Sequence, residues 1–176
     1  MPSGTMAYAF FDTAFGPCGI AWNGTAVTAM HLPEADRSAA EARMARAGAA
    51  AGDGGVPAEI ARVIADLRRY FDGEEVDFSA VALDLSEASD ALRQVYEETR
   101  RVGWGHTVTY GEIARRIGSP AAARFVGRAM AMNPVPIIVP CHRVLASGDK
   151  LGGFSAFGGT VQKERLLVLE RTRLPL

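Results

Sequence analysis

Apolar residues over the first 32 positions fall in three short runs, Tyr8-Ala9-Phe10-Phe11, Gly19-Ile20-Ala21-Trp22 and Ala26-Val27-Thr28-Ala29-Met30. Gly16-Pro17 and Asn23-Gly24 punctuate them, and Asn-Gly between two such runs is a strong hairpin signal, so this stretch predicts strands of a small antiparallel sheet. Residues 34–50 are Ala-rich and charged and favour a helix, after which Gly48 to Gly55 reads as a flexible break. The spacing of Ile60, Val63, Ile64, Leu67 and Phe71 predicts an amphipathic helix with Pro57 in its first turn and Gly73 as its stop. Asp72 to Ser86 is acidic and irregular and reads as a linker.

Beyond it the pattern is helical. Leu92, Val95 and Tyr96 share one face of a helix starting near Ser86–Ser89, and Thr109-Tyr110-Gly111-Glu112 has the Thr-x-x-Glu form of a capping box. The helix that it opens places Tyr110, Ile113, Ala114 and Ile117 on one face. Gly118 supplies the stop, Ser119 the next N-cap and Pro120 the first helical position, which predicts a helix-turn-helix. In the second helix, Pro120 to about Met132, Ala122, Val126, Ala129 and Met130 face inward. Arg124, Gly127, Arg128 and Ala131 face outward, and a small, basic face lets a helix lie close to a phosphate backbone. The expected fold class is therefore α+β: an N-terminal domain, residues 1–85, with a small antiparallel sheet and helices, and a mainly helical C-terminal domain, residues 86–176.

Charge sharpens the division. Residues 1–85 carry 6 Lys/Arg against 12 Asp/Glu, and residues 86–176 carry 13 against 8, although the whole chain has a net charge of only −1. The basic half is the one suited to a polyanion. No apolar stretch approaches the roughly 20 residues that cross a bilayer, and the N-terminus lacks a basic start followed by an apolar run, so no membrane association and a cytoplasmic location are expected. Cys18 and Cys141, with no Cys-x-x-Cys or His-x-x-x-His pair, offer no structural metal site.

The densest chemical signal is Asn133-Pro134-Val135-Pro136-Ile137-Ile138-Val139-Pro140-Cys141-His142-Arg143-Val144. The prolines forbid continuation of the preceding helix, and the apolar run brings Cys141 out of buried surroundings. Burial keeps a thiol protonated and inert, so a reactive Cys141 needs a neighbour that favours the thiolate. His142 and Arg143 are candidates, and Glu170, on the side of the last helix that Leu166 and Leu167 bury, is a carboxylate in need of a partner and a candidate to orient the histidine. The loop Leu151-Gly152-Gly153-Phe154-Ser155-Ala156-Phe157-Gly158-Gly159 can wrap a flat ring with its backbone; it lacks the Gly-Lys-Ser/Thr ending of a phosphate-binding loop.

Together these residues resemble the O6-alkylguanine-DNA alkyltransferase family, the methylated-DNA–protein-cysteine methyltransferases. Asn-Pro-x-Pro followed by Ile-x-Pro-Cys-His-Arg-Val carries the likeness, which extends more loosely from Thr109 to Glu170. The resemblance implies DNA repair by direct, irreversible, single-turnover alkyl transfer to Cys141. The implied source is O6-alkylguanine in double-stranded DNA, with O4-alkylthymine as a second candidate lesion; a monomer is expected, with no cofactor and no metal, since Cys18 alone cannot supply the N-terminal zinc site that some family members have. It implies that His142 acts through a water as base, that Glu170 orients His142 and that Asn133 braces the cysteine turn. Arg143 would be structural. Tyr110 would sit beside the flipped base and give it a proton, and Arg124 would fill the vacated stack from the minor-groove side. Ala123, Gly127 and Arg128 would complete the DNA contact, and Val144, Gly152, Gly153, Phe154 and Ser155 would line the base pocket. Phe154 stands where many members have tyrosine, and Phe125 where a small residue is common.

Two other classes share some of these features. Alkyltransferase-like proteins bind the lesion without accepting the alkyl group, but carry another residue, often tryptophan, where Cys141 stands. A cysteine–histidine hydrolase would need an oxyanion hole, which nothing in the sequence specifies.

Overall fold

The structure, a computed structural model, describes residues 6–33, 37–46, 48–51, 55–147 and 160–171. The chain divides into two compact units, one formed by Met1–Val76 with Ala80–Leu85, the other by Asp77–Ser79 with Ser86–Leu176.

In the first unit, β1 (Met6–Thr13), β2 (Gly16–Asn23) and β3 (Ala26–His31) form an antiparallel meander. The Asn23-Gly24 signal lands on the β2–β3 turn, where Gly24 has φ 63°, the left-handed backbone that a tight hairpin requires. Helix α1 (Arg37–Ala45) buries Ala40 and Met44. The segment read as a flexible break holds a further strand, β4 (Ala49–Ala50), paired parallel to β1, so the sheet order is β3-β2-β1-β4 and one edge is not antiparallel. Gly48 makes this possible: a Cβ there would stand 2.6 Å from the backbone carbon of Met6. Helix α2 (Ala58–Phe71) buries the expected Ile60, Val63, Ile64, Leu67 and Phe71, together with Tyr70. These side chains form the core of the unit with Cys18, Ile20, Ala21, Trp22, Val27 and Met30.

The stretch read as a linker is more ordered than its composition suggests. Val76 and Phe78 are buried, and the Val27 amide and carbonyl pair with Ala82 and Asp84. Asp77–Ser79 belongs with the second unit, where Arg100 Nη2 donates to the carbonyls of Phe78 (2.9 Å) and Ser79 (3.2 Å).

The second unit opens with α3 (Asp90–Thr99), whose N-cap Ser89 accepts from the Leu92 amide. A two-residue strand, β5 (Val108–Thr109), leads directly into α4 (Tyr110–Arg116), capped as expected by Thr109 Oγ1 accepting from the Glu112 amide at 3.1 Å. Gly118, at φ 79°, ends that helix. The next helix, α5 (Ala123–Ala131), starts three residues later than the sequence suggests: Ser119 through Ala122 form a turn closed by the Ala122 amide on Ser119 O, and Pro120 lies outside the helix. Its buried face is Val126, Ala129 and Met130, with Ala122 only half-buried at the cap. β6 (Val144–Leu145) pairs parallel with β5 (Val108↔Val144, Thr109↔Leu145), which joins the entry of the helix pair to the residues just after Cys141. Helix α6 (Thr160–Leu169) completes the described residues, among which no helix is long and apolar enough to cross a membrane.

Because the Thr109 cap fixes both α4 and the end of β5, Thr109→Ala is expected to lower stability by about 1 kcal/mol, read as a lower urea midpoint at unchanged slope. An unchanged midpoint would show that the cap contributes nothing.

Candidate active site and DNA-facing surface

Asn133 leaves the end of α5 and turns the chain back on itself. Its side-chain Nδ2 donates to Val139 O (2.8 Å), its Oδ1 accepts from the Val135 amide (3.0 Å), and the Val139 amide closes on Val135 O. Inside this loop Ile137 adopts φ 74°, a left-handed backbone that costs a β-branched residue on the order of 1–3 kcal/mol and needs surrounding structure to hold it. The loop delivers a single 3-10 turn, Cys141–Arg143, whose three side chains are all buried.

Below the turn lies Glu170, following the last residue of α6 and 1% exposed. Its Oε1 sits 2.6 Å from His142 Nε2 and accepts from Arg143 Nη2 (2.8 Å); its Oε2 accepts from Arg143 Nε (2.9 Å). The remaining arm of the guanidinium, Nη1, donates to Val102 O at 2.7 Å. Burial alone would raise the Glu170 carboxyl, but hydrogen bonds and charge from His142 and Arg143 outweigh it and hold the group at about 2, below its ordinary 4.5. Burial acts the other way on His142, lowering its pKa against the pull of Glu170, so the imidazole is neutral at pH 7 with an ionised carboxylate beside Nε2.

The Cys141 thiol is pushed up to about 11 by burial. A hydrogen bond from the Asn133 side chain, the charge of Lys163 and nearby backbone amides all pull in the opposite direction. Lys163 is fully buried, donates to Val144 O at 2.7 Å and lies 5.8 Å from the Tyr110 ring centre. Burial draws its pKa down to about 8 while the charge of Cys141 opposes the fall. The resting site thus holds a protonated sulfur among groups that favour its anion.

Tyr110 opens α4 half-buried, its ring against Gly127 of α5, where a Cβ would stand 3.5 Å from Tyr110 Cε2. An open groove of about 760 Å³ is lined by Tyr110, Ala123, Arg124, Gly127, Arg128 and Ala131, with both arginine side chains exposed. The structure therefore gathers the singled-out residues into two groups. Asn133, Cys141, His142, Arg143, Val144 and Glu170 share the buried centre; Tyr110, Ala123, Arg124, Gly127 and Arg128 share the groove. Gly152, Gly153, Phe154 and Ser155 lie outside the described residues. Lys163 was missed, although it precedes Leu166 by three positions and Leu167 by four, the same inward stripe that singled out Glu170.

Residues 90–172 match the family model for the 6-O-methylguanine DNA methyltransferase DNA-binding domain. Over 168 residues the chain is 35% identical to the methylated-DNA–protein-cysteine methyltransferase of Mycobacterium tuberculosis, covering 96% of this chain and 94% of that protein. It is 32% identical over 156 residues to the protein of the same name from Methanothermobacter thermautotrophicus, covering 89% and 80%. The crystal structure of Mycobacterium tuberculosis OGT in complex with DNA superposes with a TM-score of 0.76 at 35% identity, covering 96% of this chain and 95% of that one.

Glu170 has a depressed folded-state pKa, so its stabilisation is complete above about pH 4.5 and is lost as pH falls through about 2. Glu170→Gln should cost about 3 kcal/mol at pH 7, and the gap to the unmutated protein should close in acid. Urea titrations from pH 7 to pH 2 measure this. A gap that stays constant with pH would mean that the carboxylate's charge is not what stabilises the turn.

Proposed function

We propose, for a chain that belongs to the methylated-DNA–protein-cysteine methyltransferase family, repair of DNA by direct transfer of an alkyl group from O6-alkylguanine to its own Cys141. The observation that carries this reading is the buried Cys141–Arg143 turn, in which the residue after the thiol is a neutral imidazole fixed by an ionised carboxylate. O4-alkylthymine is a second candidate lesion.

Transfer at an alkyl carbon needs a soft nucleophile, a place for its proton and a leaving group that is neutralised as it departs. His142 takes the proton of Cys141 through a water. The sulfur forms a bond to the alkyl carbon as the carbon–O6 bond breaks, and its electron pair moves onto the purine. Tyr110 protonates the departing base, and solvent returns the proton on His142 to the Tyr110 oxygen. The products are guanine and a thioether at Cys141. The thioether has no leaving group for a reverse step, so each molecule acts once. Asn133 holds the turn, Arg143 locks Glu170 in place, and Val144 lines the pocket of the base.

A stacked guanine cannot reach a buried sulfur, so the base leaves the helix at a cost of a few kcal/mol. Arg124 enters from the minor-groove side and occupies the gap. Ala123 and Gly127 let α5 approach closely, and Arg128, one turn on, contacts phosphate. We assign residues 86–176 as the domain that binds DNA and accepts the alkyl group, and residues 1–85 as a separate N-terminal domain. Action as a cytoplasmic monomer belongs to the same reading. The thiol at position 141 also disfavours a lesion-binding protein that accepts nothing.

Incubation with a duplex holding one O6-methylguanine should add one methylene mass to the peptide bearing Cys141, saturating at one per molecule and absent in Cys141→Ala. Tight lesion binding without a mass change would place the protein among damage sensors instead. Arg124→Ala should slow transfer from duplex far more than from a single strand, which leaves no stack to fill; equal slowing of both would remove the arginine from that role.

A further inference from the structure

Tyr96 of α3 is 2% exposed, and its hydroxyl donates to the carbonyl of Ala129 at 2.9 Å across a separation of 33 residues. That carbonyl lies in the last turn of α5, where helical oxygens lose their amide partners. The Asn133 amide, which a continuing helix would direct at Ala129 O, turns instead to Met130 O at 3.3 Å. A phenol from another helix thus supplies the cap that the chain itself cannot. Four residues past the capped carbonyl stands Asn133, whose side chain holds the Val135–Val139 loop that delivers the Cys141–Arg143 turn. Burial and the charge of Cys141 keep the phenol protonated, with its pKa raised to about 12, so it serves as a donor at every working pH.

We propose that Tyr96 is a positioning residue for the thiol: by pinning the end of α5 to α3 it sets the place of Asn133, and through Asn133 that of Cys141, relative to the helix that grips DNA. The effect on transfer rests on the alkyl-transfer reading above; the effect on the thiol does not. Tyr96 touches neither the reacting carbon nor the groove face of α5. Its loss should therefore leave DNA affinity in place and alter the sulfur.

The test compares Tyr96→Phe with the unmutated protein, each assayed well below its own melting temperature. Reaction of Cys141 with iodoacetamide across pH, followed by peptide mapping, reads the sulfur without any lesion. The midpoint of that profile should move to higher pH in Tyr96→Phe. Single-turnover transfer at saturating lesion duplex should slow about fivefold, the scale of one buried hydrogen bond, while Kd for the duplex changes less than about twofold. In an Asn133→Ala background the substitution should have no further effect on the profile, because the two residues act in series. An unmoved profile overturns the proposal even if transfer fails for other reasons, and a shifted profile sustains it even if the natural electrophile is not alkylguanine. If Tyr96→Phe does not fold, the unmutated protein still decides: the Tyr96 hydroxyl proton should be slow to exchange and should shift in NMR spectra as Cys141 titrates. A hydroxyl resonance indifferent to that titration contradicts the proposal.

Discussion

One carboxylate in the core, that of Glu170, accepts from His142 and twice from Arg143, and those three short contacts tie the end of the last described helix to the turn that carries the nucleophile. Three ionisable side chains removed from water would each cost several kcal/mol alone. Together they form a compensated cluster, and the spare arm of Arg143 on Val102 O extends the tie to the segment after α3. The cluster is a structural device before it is a chemical one. It decides which nitrogen of His142 faces the carboxylate.

The buried centre and the basic groove sit on opposite sides of the same short helix. The inward face of α5 packs on Tyr96 and runs into the Asn133 loop; its outward face offers Arg124 and Arg128 with little between them but Ala123, Gly127 and Ala131. Tyr110 belongs to both sides, with its ring against Gly127 and near buried Lys163. The raised thiol pKa fits a nucleophile kept protonated at rest and released only when its proton has somewhere to go.

Features written in local chemistry were readable from the sequence: the Thr109 cap, the start of α3 within Ser86–Ser89, the Asn23-Gly24 turn, the buried stripe of α2 and the Gly118 stop. Features created by distant pairing were not. β4, β5 and β6 are two residues each, too short for any period, and exist because a partner strand lies alongside. Pro120 fits a first helical turn but sits in a turn of its own, since Ser119 closes on Ala122. The acidic composition of Asp72–Ser86 masked two anchors, Val76 and Phe78. Ile137 could not be anticipated at positive φ, because local preference opposes it and only the Asn133 loop enforces it. In the site, the motif around Cys141 and the inward placement of Glu170 were legible, whereas Lys163 required the same stripe reasoning carried one turn before Leu166 and Leu167.

The protonation state of His142 couples the Glu170 cluster to the turn that bears Cys141. A long-range nitrogen–proton correlation spectrum of protein labelled with ¹⁵N at histidine reports which ring nitrogen carries hydrogen at pH 7. A neutral ring protonated at Nε2, donating to Glu170, is the expected result, with Nδ1 left basic. A ring protonated at both nitrogens, or at Nδ1 alone, would contradict it and would remove His142 as the acceptor of the thiol proton.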